Sequence, residues 1–309
     1  MKKLFKGLLI SGLAATALVG VTSCGENKEE SHAIKVYTRD TESGTRDGFF
    51  TGIGFSDAVK DNTVLASGHI EVAGNGDMIT QVKNDEYSIG YISLSTLDSS
   101  LKGLSYEGVA PTEANVINGT YKLTRNFNYC KRASYSSETN QKIVEAFIAY
   151  MSTTDGIATI KDKGGILDVP STAKSWSEVK ANYAIASSDN SSVTITVGGS
   201  TSVKSIVSQL LLEFSSKCGN FKYNYNPTGS ADAYKRTNGS DKDSANACDL
   251  AFASREFKDS EAMDASLKGK MCTDAIVAVV NKSNSYSSTT ASALKNIYNG
   301  TTTTWEELK

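Results

Sequence analysis

An α/β chain with largely parallel sheets, divided into two lobes, is the fold class that the sequence predicts, and three observations predict it. Short β-branched runs alternate with helix-periodic stretches from residue 34 onward. At 309 residues and 39% hydrophobic, the chain can bury more than one core of ordinary size. Four of the β-rich runs end in small hydroxyl or glycine residues that pass directly into a helical pattern. Parallel sheets bind ligands beyond the carboxyl ends of their strands in that arrangement.

The first element is not part of the fold. "MKKLFKGLLISGLAATALVGVTSC" places lysines 2, 3 and 6 before an apolar run and small residues ahead of Cys24. It reads as a secretory signal over 1–24, too short and wrongly flanked for a spanning helix of the mature protein. Val21-Thr22-Ser23-Cys24 resembles a bacterial lipobox, which makes Cys24 the lipidated first residue after cleavage; the alternative is an ordinary cleavage site with an incidental cysteine. Residues 25–33 are polar and acidic without periodicity, a flexible tether. The mature protein is therefore expected outside the cytoplasm, lipid-anchored to the outer face of the cytoplasmic membrane.

Strands are predicted at 34–38, 88–94, 193–197, 221–225, 249–253 and 275–281. Helices are predicted at 202–214 and 140–151. In the first of these, Val203, Ile206, Val207, Leu210, Leu211 and Phe214 fall at steps of three and four and make one apolar stripe. The turn-rich stretch 170–192 reads as a connection between two units. Besides Cys24 there are four cysteines, Cys130, Cys218, Cys248 and Cys272. They allow two disulfides in any of three pairings, or four buried free thiols. Without a C-x-x-C pair, a zinc or redox motif is disfavoured.

A net charge of −2 gives no general pull toward nucleic acid or anionic membrane, so any basic residue that matters acts locally. The strand-end motifs are "TRDTESGTRD" (38–47), "GGSTSV" (198–203), "NPTGSADAYK" (226–235) and "ASRE" (253–256). Serine and threonine supply hydroxyl donors without bulk, and glycine lets the backbone approach closely. Helix starts supply unpaired N–H groups, and an arginine supplies a fixed charged fork. Together they suit a small tetrahedral anion, although each motif alone is also what a plain helix N-cap needs. Catalysis has little support, because His32 and His69 are the only histidines. His69 reads as a structural residue and "AGNGDM" (73–78) as a turn.

"TRDTESGTRDGFF", "SIGYISLSTL", "GVAPTEANVINGTYKLTRNF", "GGSTSV", "DLAFASRE", "DAIVAVVN" and "LKNIYNGTTTTWEEL" resemble segments of the phosphate-binding proteins that serve ABC-type phosphate uptake transporters. Their order differs from the family's. The Ser-Gly-Thr-Arg segment comes first here and the Trp segment last, as in a circular permutation or part of a tandem duplication, with the polar cluster 187–192 joining the family's usual termini. The resemblance implies a two-lobed periplasmic-binding-protein-like (type II) clamshell. One lobe would be continuous, 122–280, and the other split between 34–121 and 281–309. The chain would cross between them near 121–125 and 277–281, and anion binding would close the cleft.

Residue by residue, the resemblance implies phosphate contacts from Arg39, Ser43, Gly44 and Thr45 on the split lobe. On the continuous lobe it implies Thr201, Ser202, the N–H of Ser200, and Ser230. Arg255 stands where some family members place an aspartate that accepts the proton of monohydrogen phosphate. Selectivity over sulfate would then need another acceptor, such as Glu256 or Asp232, or a stronger positive charge. The implied function is capture of inorganic phosphate by a monomer and delivery to an ABC permease, with no cofactor and no metal. Rival readings are binding of sulfate, molybdate or a phosphonate, a secreted phosphatase with Ser43 as nucleophile, and an adhesin or sensor that has kept only the fold.

Overall fold

The computed structural model describes residues 31–308; the expected signal 1–24 with the expected lipidation residue Cys24, and most of the expected tether, lie outside the described residues. The chain begins β1 (Lys35–Arg39), α1 (Gly44–Gly52), β2 (Ile70–Val72), α2 (Asn75–Lys83), β3 (Ser88–Ser93), β4 (Leu101–Gly103), β5 (Ser105–Tyr106) and α3 (Glu113–Ile117). It continues with β6 (Thr124–Lys131), α4 (Glu138–Met151), α5 (Thr154–Asp162), α6 (Trp176–Val179), β7 (Thr194–Gly199), α7 (Lys204–Lys217), β8 (Lys222–Pro227), α8 (Ala231–Thr237) and β9 (Leu250–Ala253). The last elements are β10 (Lys268–Asn281), β11 (Ser288–Thr289) and α9 (Ala291–Tyr298).

Among the described residues, one nine-stranded sheet runs β2-β1-β3-β10-β6-β9-β7-β8, with β4 also paired to β10. Both ends are parallel, β1 with β2 and β3, and β7 with β8 and β9. The middle is antiparallel, because β10 pairs with both β3 and β6, and β6 with β9. The largely parallel sheet expected from sequence is thus a mixed one. The β6 segment, TRNFNYCK, and the first half of β10, KGKMCTD, intersperse charges among few apolar residues and offer no β-branched run to read.

The 14-residue β10 spans two cores. One core gathers Val36, Phe49, Phe50, Ile89, Tyr91, Tyr121, Leu123, Ile276 and Tyr298. The other gathers Phe127, Phe147, Leu210, Phe214, Phe252 and Cys272. The chain changes core between Leu123 and Phe127, and again between Cys272 and Ala275. The second change comes a few residues earlier than the 277–281 crossing expected from sequence, since Val277 and Val279 pack with Tyr37, Met78 and Ile92.

On α7 the apolar stripe is buried as its spacing requires, while Leu212 on the opposite face is 60% exposed. The stretch 170–192 is not a connection between units. Trp176 is 4% exposed and meets Phe214 edge to face at 5.1 Å, so the segment closes one side of the second core. Among the described residues no helix is long and apolar enough to cross a membrane.

All four described cysteines are free and buried. Burial pushes the Cys130 thiol up to about 12 and those of Cys218 and Cys248 to about 11, and it raises Cys272 further. A thiol reagent at neutral pH should therefore find these four unreactive in the native protein. After denaturation without reductant it should find all four; a lower count would reveal a disulfide.

Candidate functional site

The carboxyl end of β1 delivers Arg39, and the chain then turns into α1 through Ser43. Ser43 Oγ accepts from the N–H groups of Thr45 (3.2 Å) and Arg46 (3.4 Å), which caps the helix and sets Gly44 and Thr45 in its first turn. At the end of β7, Gly199 adopts φ 99°, where a Cβ would overlap the Phe252 backbone. That close approach lets Ser200 N–H donate to Phe252 O at 2.7 Å. Ser200 Oγ accepts from Ser202 N (3.1 Å) and donates to Ser254 Oγ (2.9 Å). Ser230 Oγ in turn accepts from Ser254 N at 2.9 Å and lies 3.0 Å from the Ser254 hydroxyl.

These two groups meet. Thr45 Oγ1 and Ser202 Oγ share a hydrogen bond of 2.9 Å, and Arg39 Nη2 donates to Thr201 Oγ1 at 3.2 Å. Asn75 Nδ2 donates to Ser202 Oγ at 3.3 Å. Gly44 faces Ser230 and Ser254, where a Cβ would lie 2.7 Å from Ser254 Oγ and 2.9 Å from Ser230 Cβ. Loop tips separated by more than 150 residues therefore form one buried cluster of hydroxyls around a guanidinium, as the pairs Arg39–Thr201 and Thr45–Ser202 show.

Arg39 is 1% exposed. Its Nε donates to Val72 O (3.2 Å) and its Nη2 to Ala73 O (2.8 Å), while Asp40 Oδ2 stands 3.9 Å away. Nη1 has no hydrogen-bond partner among the described residues. Burial pulls the Arg39 pKa below its ordinary value, against Tyr91 and Asp40, which favour the charge. An unpaired buried donor costs about 1–3 kcal/mol, and more when it is charged. The site therefore has donors to spare and a strong preference for an acceptor.

Of the residues singled out from sequence, Arg39, Gly44, Thr45, Ser200, Thr201, Ser202 and Ser230 are brought together. Ser43 stands beside them with its Oγ engaged by the α1 amides. The Ser200 N–H, expected near the ligand, belongs to the sheet. Arg255 faces elsewhere: its Nη1 and Nη2 each lie 2.7 Å from a Glu261 oxygen, and Nη1 also donates to Glu256 O at 2.8 Å. It lines a cavity of about 540 Å³ with Asp47, Arg125 and Lys258. Although burial works against it, Arg255 holds the Glu261 carboxyl below its usual range. Both suggested acceptors are engaged by other side chains. Glu256 Oε1 takes the Asn126 amide at 2.8 Å, and the Asp232 carboxylate takes the Thr228 hydroxyl.

Three residues of the site escaped the sequence reading. Ser254 lies inside "ASRE", where the adjacent arginine is the stronger local signal. Asn75 lies in "AGNGDM", which reads as a turn. Arg125, the second residue of β6, donates from Nε (3.0 Å) and Nη2 (2.9 Å) to Asp274 Oδ2, and from Nη1 to Ser254 Oγ (3.3 Å). Arg125 and Asp274 face each other in the β6–β10 register, 149 residues apart, so no local signal joins them. Asp274 is fully buried and also accepts from Ser93 Oγ at 2.7 Å. Burial raises its carboxyl, with Arg125 and Ser93 opposing.

Chemically the cluster can surround an anion with N–H and O–H groups. Nothing in it resembles a nucleophile with its base: Ser43 Oγ is bonded to amides, His69 Nδ1 contacts Ala66 O at 3.0 Å, and His32 Nδ1 contacts Glu306 at 2.9 Å. Among the described residues no group of three or more His, Cys, Asp or Glu is placed to hold a metal ion.

Residues 184–309 match a family model described as a PBP superfamily domain. The Phosphate-binding protein PstS 2 of Streptococcus agalactiae serotype V (strain ATCC BAA-611 / 2603 V/R) is 27% identical over 310 residues, which cover 99% of this chain and 98% of that protein. The Phosphate-binding protein PstS 2 of Streptococcus pneumoniae serotype 4 (strain ATCC BAA-334 / TIGR4) is 27% identical over 314 residues, 99% of each chain. The fold is similar to the crystal structure of a phosphate-binding protein of a phosphate ABC transporter from Streptococcus pneumoniae TIGR4. That match has a TM-score of 0.64 and 24% identity, covering 90% of this chain and 100% of the other. The PBP-like α/β fold and the resemblance to phosphate-binding proteins, both read from sequence, are borne out by these matches.

Gly44→Ala should drive a methyl into Ser230 and Ser254 and lower stability by about 1–3 kcal/mol, the usual cost of overpacking. Chemical denaturation measures it, and adding Ser230→Gly should recover part of the loss. An unchanged midpoint for Gly44→Ala would mean that the two tips do not pack as described.

Proposed function

We propose that this protein is an extracytoplasmic solute-binding lipoprotein that captures inorganic phosphate between two lobes and delivers it to an ABC transporter permease, without covalent chemistry. The observation that carries this reading is the buried meeting of Arg39, Gly44 and Thr45 with Thr201, Ser202 and Ser230, in which Arg39 Nη1 has no acceptor of its own among the described residues. The names of the similar streptococcal proteins support the choice of anion. The two cores are the lobes, and β6 and β10 are the strands on which they swing. Phosphate enters when the Thr45–Ser202 and Arg39–Thr201 contacts part, and it takes over those donors when they return. Arg255, held by Glu261, stands outside the contact set. Cys24 carries the lipid, and the protein works as a monomer.

A rearranged segment order is part of the proposal. Two features support it. The superfamily match begins at 184, beside the 187–192 cluster. The two ends of the described body also lie together, with Trp305 N–H donating to His32 O and His32 N–H to Glu306 Oε2, both at 3.0 Å. A chain joined by a short Gly/Ser linker across these ends and reopened between Ser191 and Ser192 should melt cooperatively and bind phosphate like the parent. Loss of folding would show that the present order is required.

Arg39→Ala should lose most phosphate affinity in a calorimetric titration while its thermal transition stays cooperative. Affinity equal to the parent's would remove the arginine from the site and the proposal with it.

A further inference from the structure

One acceptor in the cluster has no donor among the described residues. Asn75, the first residue of α2, is 4% exposed; its Nδ2 is committed to Ser202 Oγ at 3.3 Å, and its Oδ1 has no hydrogen-bond partner among the described residues. Its neighbour Gly74 borders Thr201, where a Cβ would lie 3.9 Å from Oγ1, so the amide sits in the ring that Thr45, Thr201 and Ser202 make beside Arg39. The hydroxyls of that ring can donate or accept, and the guanidinium only donates. The amide oxygen only accepts. A fully ionised anion can satisfy every other group, but only an anion that carries a hydrogen can satisfy Asn75 Oδ1.

We infer that Asn75 Oδ1 accepts the proton of a monohydrogen oxyanion and is the residue that separates phosphate from sulfate in this protein. The inference rests on the phosphate-capture reading and deepens it, filling the part that Arg255, Glu256 and Asp232 do not fill. Sulfate at neutral pH carries no hydrogen and sets an oxygen lone pair against the buried amide oxygen. Turning the amide over does not rescue it. Nδ2 would then face the anion, but the Ser202 proton would be tied to Oδ1, withdrawing one hydroxyl donor from the ligand. A neutral acceptor also adds no negative charge beside Arg39, so the attraction for the dianion is kept.

The test is calorimetry on the full chain with inorganic phosphate and, separately, sulfate at slightly alkaline pH, using the parent, Asn75→Ala and Asn75→Asp, each checked for a cooperative melt. Asn75→Ala is expected to weaken phosphate at least tenfold and to leave sulfate within about twofold, in line with one hydrogen bond to a charged group. Asn75→Asp keeps an acceptor of the same shape and is expected to retain the preference for phosphate. Equal losses for both anions in Asn75→Ala would reduce Asn75 to a positioning role and overturn the inference, as would no change in either. A cooperatively folded parent that binds no phosphate overturns the capture reading and this inference together, whereas a phosphate-binding parent with an indifferent Asn75→Ala overturns the inference alone.

Discussion

A buried positive charge with more donors than neighbours to receive them is the constraint around which this molecule is arranged. Arg39 sits at the end of β1 with two of its nitrogens given to backbone oxygens of Val72 and Ala73 and one without an acceptor among the described residues. Burying a charge in this way is costly unless something supplies the missing pairing. The chain supplies only part of it, through Thr201 and the distant Asp40 carboxylate. What remains is a demand for a further acceptor, created by the fold.

The hydroxyls answer the same demand from the other side. Ser200 and Ser230 each bond to Ser254, and Ser202 bonds to Thr45, so each is oriented before any ligand is considered. Preorientation reduces the entropy lost on binding. Arg125 extends this order to the crossing strands, since its bonds to Asp274 and Ser254 connect β6 and β10 with the serine cluster. Breaking such a buried pair by removing one partner is strongly destabilising. The strands that pass between the two cores and the buried hydroxyl cluster are therefore held by one network.

Glycine completes the design by absence of bulk. Gly44 and Gly199 stand where a side chain would collide with the facing loop or strand, which is why the tips can approach closely enough for single hydroxyls to bridge them. The aromatic stack of Phe49 on Tyr91, 4.1 Å between ring centroids, anchors α1 to the sheet behind the site. The Tyr91 hydroxyl then receives the Arg39 backbone N–H at 3.0 Å. Core packing and site geometry thus share residues.

Local chemistry in the sequence was enough to determine the alternation of strands and helices, the buried stripe of α7, the hydroxyl-rich helix starts and Arg39 as the charge among them. These depend on spacing and residue type within a few positions. The partners of Arg125, the commitment of Arg255 to Glu261, the orphaned oxygen of Asn75 and the place of Trp176 in a core were decided only by the tertiary structure. Each depends on which distant segment the sheet lays alongside, and one residue of register changes the answer while the sequence stays the same.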